Sequence, residues 1–325
     1  MITEPQTLGE VSEEGLLRTI FPFFTLQPGL LVGPGDDAAV LATSGRVVAT
    51  TDSMVRGRDW LDDWSTAADV GAKLLTQNLA DVAAMGGTPT AVLVTLMADP
   101  ATPAQWARDF ARSIGDGAAR AGVAVAGGDL SSAPAGVLVV SITALGDLSG
   151  RQPVLRNGAR VGDALAVRGT LGRSGAGLVL LQRGGDAASR PTGIQKECLD
   201  HHRRPTTPVA AGVQAAAAGA TAMIDISDGL LRDADRIARA SGVQLALNGP
   251  ALRRHVDALT AAVGQEAARE CVLAGGEEHS LLATFPAGAV PEGWQVLGAV
   301  APGSGVTIDG EPQRPRGWDH FSKEQ

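Results

Sequence analysis

Acidic side chains recur in this chain where apolar runs give way to turns. Asp52 sits in "ATTDSMV", Asp129 follows two glycines in "VAVAGGDLSS", and Asp225 and Asp228 bracket Ser227 in "IDISDGLL". Asp36 and Asp37 stand side by side in "GPGDDAAV", with no lysine or arginine in the stretch to neutralise them. Neighbouring like charges disfavour each other's ionisation unless a cation or hydrogen-bond donors compensate. Asp81 lies in "NLADVAAMGG" among apolar neighbours, and a carboxylate in such a setting is seldom buried without a partner. Ordinary readings exist beside these: a turn at 33–40, a turn after Gly127-Gly128, a helix cap at Asp228 with Ser227. Taken together, carboxylates at strand termini suggest a cluster for hard cations. Magnesium fits, because it takes carboxylate and hydroxyl oxygens and shares its remaining positions with phosphate.

Other ways of handling phosphate are missing from the sequence. There is no G-x-x-x-x-G-K-[ST] loop, no protein-kinase H-R-D or D-F-G set, no H-E-x-x-H and no G-x-S-x-G. A nucleoside triphosphate here would be held through carboxylates and metal rather than a lysine cradle.

The elements that must position these groups alternate. Strands are predicted over 45–52, 89–97, 123–129 and 136–148, with Asp52 and Asp129 at strand ends. Helices are predicted over 65–87, opened by Ser65-Thr66 and stopped by two glycines, and over 102–122. A Gly- and Arg-rich change of texture at 148–163 marks the expected domain boundary, giving 1–148 and 149–325. The second half reads as a strand at 164–169, a helical stretch at 172–184, the polar segment "HHRRPTTP", an alanine-rich helix at 208–219, then strand, polar turn, helix and strand over 220–249. Short strands and turns close the chain.

The bulk numbers narrow the class. At 325 residues, with 44% hydrophobic and 19% charged residues, the composition is globular. Aromatics are 3% with no tyrosine, and the formal net charge is -8, which together argue against a nucleic-acid binder. Cys198 and Cys271 fit no zinc or redox spacing. The polar N-terminus lacks a signal-peptide core, and no apolar run reaches transmembrane length, so a cytoplasmic protein is expected.

In order along the chain, "GPGDDAAV", "TTDSMV", "NLADVAAMGG", "GGDLSS", "IDISDGLLRD", "GGEEHSLL" and "GWDHF" resemble the motifs of bacterial thiamine-monophosphate kinase, a family of the aminoimidazole-ribonucleotide-synthetase superfamily. The resemblance runs from about residue 8 to 321. It implies a two-domain α/β (α+β) fold: an N-terminal mixed sheet that packs in a homodimer, and a C-terminal α/β sandwich that completes the nucleotide and substrate site. It implies ATP bound through several magnesium ions. Magnesium ligands carry over to Asp37, Thr50, Thr51, Asp52, Asp81, Asp129, Asp225 and Asp228, with Asp36 supporting them. Nucleotide contacts carry over to Gly128, Asp129, Arg156 and Ser227, and substrate contacts to Asp59, Glu277 and Trp318. The sequence departs from the family twice. Asp59 stands where a histidine is usual, so Arg56 or Arg58 is expected to take over a phosphate contact, unless both pair with Asp62 and Asp63. Glu278 stands where the G-G-E-D motif has aspartate.

The implied reaction is ATP with thiamine monophosphate giving thiamine diphosphate and ADP. A phosphate monoester is largely a dianion at neutral pH, its second pKa being about 6, so the acceptor needs neither a general base nor a covalent enzyme nucleophile. Trp318 offers a π face to the cationic ring, with Trp60 and Trp64 as other platforms. His201 and His202 are adjacent and are expected to face solvent or to cap. Two rival readings keep the nucleotide but change the outcome: another ATP-using enzyme of the superfamily, or a nucleotide-binding module without turnover.

Overall fold

The chain's apolar periodicity resolves into two compact units, Met1–Val82 with Thr88–Arg151 and Ala83–Gly87 with Gln152–Gln325. The structure, a computed structural model, describes residues 6–11, 13–34 and 38–318.

The first unit contains α1 (Glu13–Ile20), a short 3-10 turn (Phe21–Phe23), β1 (Leu30–Val32), β2 (Val40–Leu41), β3 (Val47–Val55), α2 (Ala67–Ala84), β4 (Thr88–Ala98), α3 (Ala104–Ala121), β5 (Ala124–Ser132) and β6 (Leu138–Asp147). Helix α2 starts on a reciprocal cap. The Thr66 N–H and hydroxyl both donate to Asp69 Oδ2, at 2.8 and 2.7 Å, and Asp69 N donates back to Thr66 Oγ1 at 3.3 Å. Helix α3 stops at Gly122, whose left-handed φ of 69° suits glycine. The sheet order is β3-β6-β4-β5, antiparallel except for the β4/β5 pair, whose parallel crossover is made by α3.

Strand alternation gives this sheet two unlike faces. Val48, Thr50, Asp52 and Met54 of β3 point to the side on which α2 packs, shown by the Thr50–Asp81 contact. The other face carries Thr51 and Ser53 of β3, Ser141 and Thr143 of β6, Leu93, Thr95 and Met97 of β4, and Asp129 and Ser131 of β5. Near one end it is covered by the β1/β2 pair, where Leu30, Ala39 and Leu41 pack on buried Ala91, Ala124 and Ala126. Elsewhere it is open: Val47 is 49% exposed and Leu93 39%.

The second unit holds β7 (Ala164–Arg168), α4 (Arg173–Arg183), α5 (Asp186–Ser189), α6 (Ile194–Arg203), α7 (Val209–Ala217), β8 (Ala222–Asp225), α8 (Leu230–Ser241), β9 (Gln244–Leu247), α9 (Gly249–Val263), α10 (Gln265–Ala274), β10 (Leu281–Phe285), β11 (Gln295–Ala301), β12 (Gly305–Ile308) and β13 (Glu311–Gln313). Its seven strands run in the order β13-β12-β9-β11-β7-β10-β8, antiparallel apart from β12/β9. Strand β10 is buried along its whole length between β7 and β8, its one polar side chain, Thr284, accepting the Ala222 N–H at 3.0 Å. Residues Ala83 and Ala84 belong to this unit's core with Met223, Phe285 and Trp294.

Candidate active site

In the first unit, β3 and α2 bring a hydroxyl and a carboxylate together. Thr50 Oγ1 donates to Asp81 Oδ2 at 2.6 Å, and Asp52 follows on the same face of β3. Asp52 does not end its strand as expected, because β3 continues to Val55, and Asp129 likewise lies inside β5. Both strands are sheet edges, where a charged side chain stays near water, so neither aspartate has to terminate pairing. Asp129 is exposed and accepts a 2.7 Å bond from Ser131 Oγ.

That topology separates residues expected together. Asp52 and Asp129 are on opposite edges of the sheet and opposite faces, three strand spacings or about 14 Å apart. Within one chain, therefore, Asp81 meets Thr50 but Asp129 is remote from both. Thr51 points to the open face and donates to the Ile142 carbonyl at 3.0 Å. Gly128 pairs with Val94, and a Cβ there would fall 1.8 Å from the Val94 oxygen, so only glycine fits. Asp36 and Asp37 lie outside the described residues.

The loop after β3 is held by its own polar groups. Asp59 Oδ2 accepts the Val55 N–H at 2.7 Å, which closes the turn on itself. Arg56 Nη2 donates to the Gly136 carbonyl at 2.7 Å, and its Nη1 lies 3.9 Å from Asp62, so Arg56 ties two loops together. Trp60 is buried and stacks on Trp106 with ring centroids 6.2 Å apart, which makes it packing rather than a ligand platform.

In the second unit one turn gathers several candidates. Asp225 ends β8, is buried, and has its Oδ2 3.3 Å from His279 Nδ1. The Ser227 carbonyl accepts the Glu277 N–H at 2.7 Å, and the Asp228 carbonyl accepts the Trp318 N–H at 2.9 Å. Gly317 permits that last contact, since a Cβ on it would lie 2.1 Å from the Asp228 oxygen. The 227–228 turn thus anchors the backbones of both Glu277 and Trp318, with Trp318 36% exposed. Arg156 is exposed, its carbonyl accepting from Ser241 Oγ at 2.9 Å.

Asp228 does not cap α8; Gly229 holds that position. Its carboxylate pairs instead with Arg236 Nη2 and faces Arg232 Nε at 4.0 Å. Asp233 performs the capping, accepting the Asp228 and Gly229 N–H groups at 3.0 and 3.1 Å. Burial pushes the Asp233 carboxyl up to about 7, and the charges of Asp225 and Asp228 add to it.

His201 and His202 were expected at the surface or as caps, yet both are buried. His201 Nε2 lies 3.4 Å from Glu278 Oε1, and His202 Nδ1 lies 3.4 Å from Glu277 Oε2. Glu278 is completely buried and accepts from Thr170 Oγ1 and, at 3.0 Å, from Ser174 N at the start of α4. No spacing in the sequence points to Thr170 or Ser174. The Glu278 departure and the paired histidines were the visible signals.

The donor set suits magnesium. Thr50, Asp52 and Asp81 offer hard oxygens on one side of the sheet, and magnesium is usually held by one or two carboxylates plus substrate phosphates rather than by an all-protein cage. Among the described residues no three His, Cys, Asp or Glu side chains cluster as a metal site, so the cluster expected from the sequence is not assembled within one chain.

Two domains with these acidic edges define a class. The chain matches the descriptions "AIR synthase related protein, N-terminal domain" over residues 35–148 and "AIR synthase related protein, C-terminal domain" over 160–311. A thiamine-monophosphate kinase of Mycobacterium tuberculosis (strain CDC 1551 / Oshkosh) is 42% identical over 328 aligned positions, covering 99% of this chain and 96% of that protein. The crystal structure of thiamine-monophosphate kinase from Stenotrophomonas maltophilia K279a superposes with a TM-score of 0.81 at 30% identity, covering 93% of this chain and 98% of the other. A structure described as AaThiL complexed with AMPPCP and TMP gives 0.78 at 29%, covering 98% and 100%. The chain belongs to the thiamine-monophosphate kinase family within that class.

Proposed function

We propose that this chain transfers the γ-phosphoryl group of ATP to thiamine monophosphate, giving thiamine diphosphate and ADP. The observation that carries the reading is the 42% identity over 99% of the chain to a thiamine-monophosphate kinase. The relative complexed with AMPPCP and TMP supports ATP and thiamine monophosphate as the two substrates.

In this reading Glu277 and Trp318 bind thiamine monophosphate, while Gly128, Asp129, Arg156 and Ser227 contact ATP. Asp37, Thr50, Thr51, Asp52, Asp81, Asp129, Asp225 and Asp228 supply oxygens to magnesium. When bound, magnesium screens the repulsion between two polyanions and holds an in-line geometry. The Asp228 carbonyl fixes the backbone of Trp318, and the Ser227 carbonyl fixes that of Glu277, so substrate-side groups hang from the turn that carries the nucleotide-side ones. Asp59 acts on the substrate loop through its bond to Val55, and Arg58 is assigned the phosphate contact left by the missing histidine.

The working form is a homodimer joined through the open face of the first unit's sheet, where Val47, Val55, Leu93 and Met97 are exposed. A metal ion with ligands at about 2.1 Å cannot use Asp52 and Asp129 of one chain across about 14 Å, so a site that needs both takes Asp129 from the second copy. Among the described residues no helix is long and apolar enough to cross a membrane, and an ATP-dependent vitamin kinase fits the cytoplasm. The test is ADP release with and without thiamine monophosphate. Release that requires thiamine monophosphate and magnesium supports the reading; release indifferent to it, or none, overturns it.

A further inference from the structure

Two consecutive histidines at the end of α6 meet two consecutive glutamates in the loop before β10. The loop backbone is held in an unfavourable form: Glu277 has φ 57° and His279 φ 53°, both left-handed and neither glycine. Main-chain bonds fasten it to the β8 exit, from Glu277 N to the Ser227 carbonyl at 2.7 Å and from His279 N to the Ile226 carbonyl at 2.8 Å. Glu278 anchors its centre, reaching Thr170 Oγ1, Ser174 N and His201. These contacts fix the Cα of Glu277, and its carboxylate reaches the end of α6.

His202 meets that carboxylate. Its Nδ1 lies 3.1 Å from Ser174 Oγ and 3.4 Å from Glu277 Oε2, and Ser174 is itself buried. Ser174 therefore links the two glutamates: its N–H serves Glu278 and its hydroxyl meets the imidazole that faces Glu277. Gly177 lets α4 approach α6 closely at this point, since a Cβ there would fall 2.3 Å from the Cys198 oxygen and 2.6 Å from His202 Cβ. A glutamate side chain has several rotamers of similar energy, so a fixed polar neighbour decides which one is populated.

We propose that His202, oriented by Ser174, is a positioning residue that holds the Glu277 carboxylate in its substrate-binding rotamer. The proposal rests on the assignment of Glu277 to thiamine monophosphate above. His202 itself touches neither substrate nor ATP in this role. Loss of the Nδ1 contact should raise KM for thiamine monophosphate while leaving KM for ATP near wild type.

The variants follow from where the polar atom sits. His202→Asn keeps a polar group near the Nδ1 position, whereas His202→Gln moves it to the Nε2 position. The proposal expects His202→Gln to raise KM for thiamine monophosphate on the order of tenfold, through loss of the imidazole–carboxylate contact. His202→Asn should restore most of that loss, and Glu277→Gln should raise the same KM, with no further rise when His202→Gln is added. If Glu277→Gln raises KM but His202→Gln does not, or if Asn and Gln at 202 are equally damaging, the positioning role is overturned and the Glu277 assignment stands. If Glu277→Gln leaves KM unchanged, the assignment and the proposal both fall.

Discussion

Asp81 lies on a helix between wholly buried Ala80 and Val82, and Thr50 reaches it across from β3. Asparagine at 81 can still accept that bond, so Asp81→Asn removes charge with little change of shape. Phosphoryl transfer in this variant is expected to fall by on the order of a thousandfold, with an unchanged melting temperature. Near-normal turnover would remove Asp81 from the metal site. The two arginines after β3 should separate by function. Arg56 is engaged with the Gly136 carbonyl and Asp62, so Arg56→Ala should cost about 1 kcal/mol of stability and leave KM for thiamine monophosphate alone. Arg58→Ala should raise that KM on the order of tenfold, with KM for ATP steady. Reversal of the two phenotypes in steady-state kinetics and thermal melts would exchange the assignments. Asp59→His loses the acceptor for Val55 N, so it should destabilise the loop rather than improve binding.

Elements hold these side chains through bonds at their ends. Asp147, the last residue of β6, accepts from Ser44 N at 2.7 Å, Ser44 Oγ at 2.8 Å and Ser149 N at 2.6 Å, and these donors hold its carboxyl below the usual range. A depressed carboxyl contributes stability in full above its unfolded value of about 3.9 and loses it as pH falls through the folded value. Asp147→Asn should melt about 3 °C lower at pH 7, and the gap should close as the pH drops below about 4. A gap independent of pH would show that the charge is irrelevant there. The same end signals explain what could be read from sequence. Helix α2 was legible because Thr66 with Asp69 and the later Gly86 mark its ends chemically. The extension of β3 past Asp52 was not, because polar residues end a central strand but not an edge strand, and edge position is a property of the sheet. The seven motifs singled out Glu277 and Trp318 as candidates, but not that both backbones bond to the 227–228 carbonyls. Burial of His201 and His202 was likewise hidden, because it follows from α4 and the 275–279 loop closing over the end of α6 rather than from anything within "HHRRP".

At the scale of the whole molecule, Asp52 and Asp129 lie on opposite edges of one sheet, so the proposed homodimer is what would bring the two into one site. Asp52→Asn and Asp129→Asn should each be inactive alone. Mixed and allowed to exchange subunits, they should recover about a quarter of wild-type activity, since half the dimers are mixed and one of their two sites is intact. No recovery in dimers shown to have exchanged would place both carboxylates in one chain's site. The central claim remains direct transfer from ATP to thiamine monophosphate with no enzyme-bound phosphoryl intermediate. The most direct measurement uses ATP made chiral at its γ-phosphorus and reads the configuration at the terminal phosphorus of the thiamine diphosphate formed. A single in-line displacement predicts inversion. Retention, the mark of two successive displacements through an enzyme nucleophile, would contradict it.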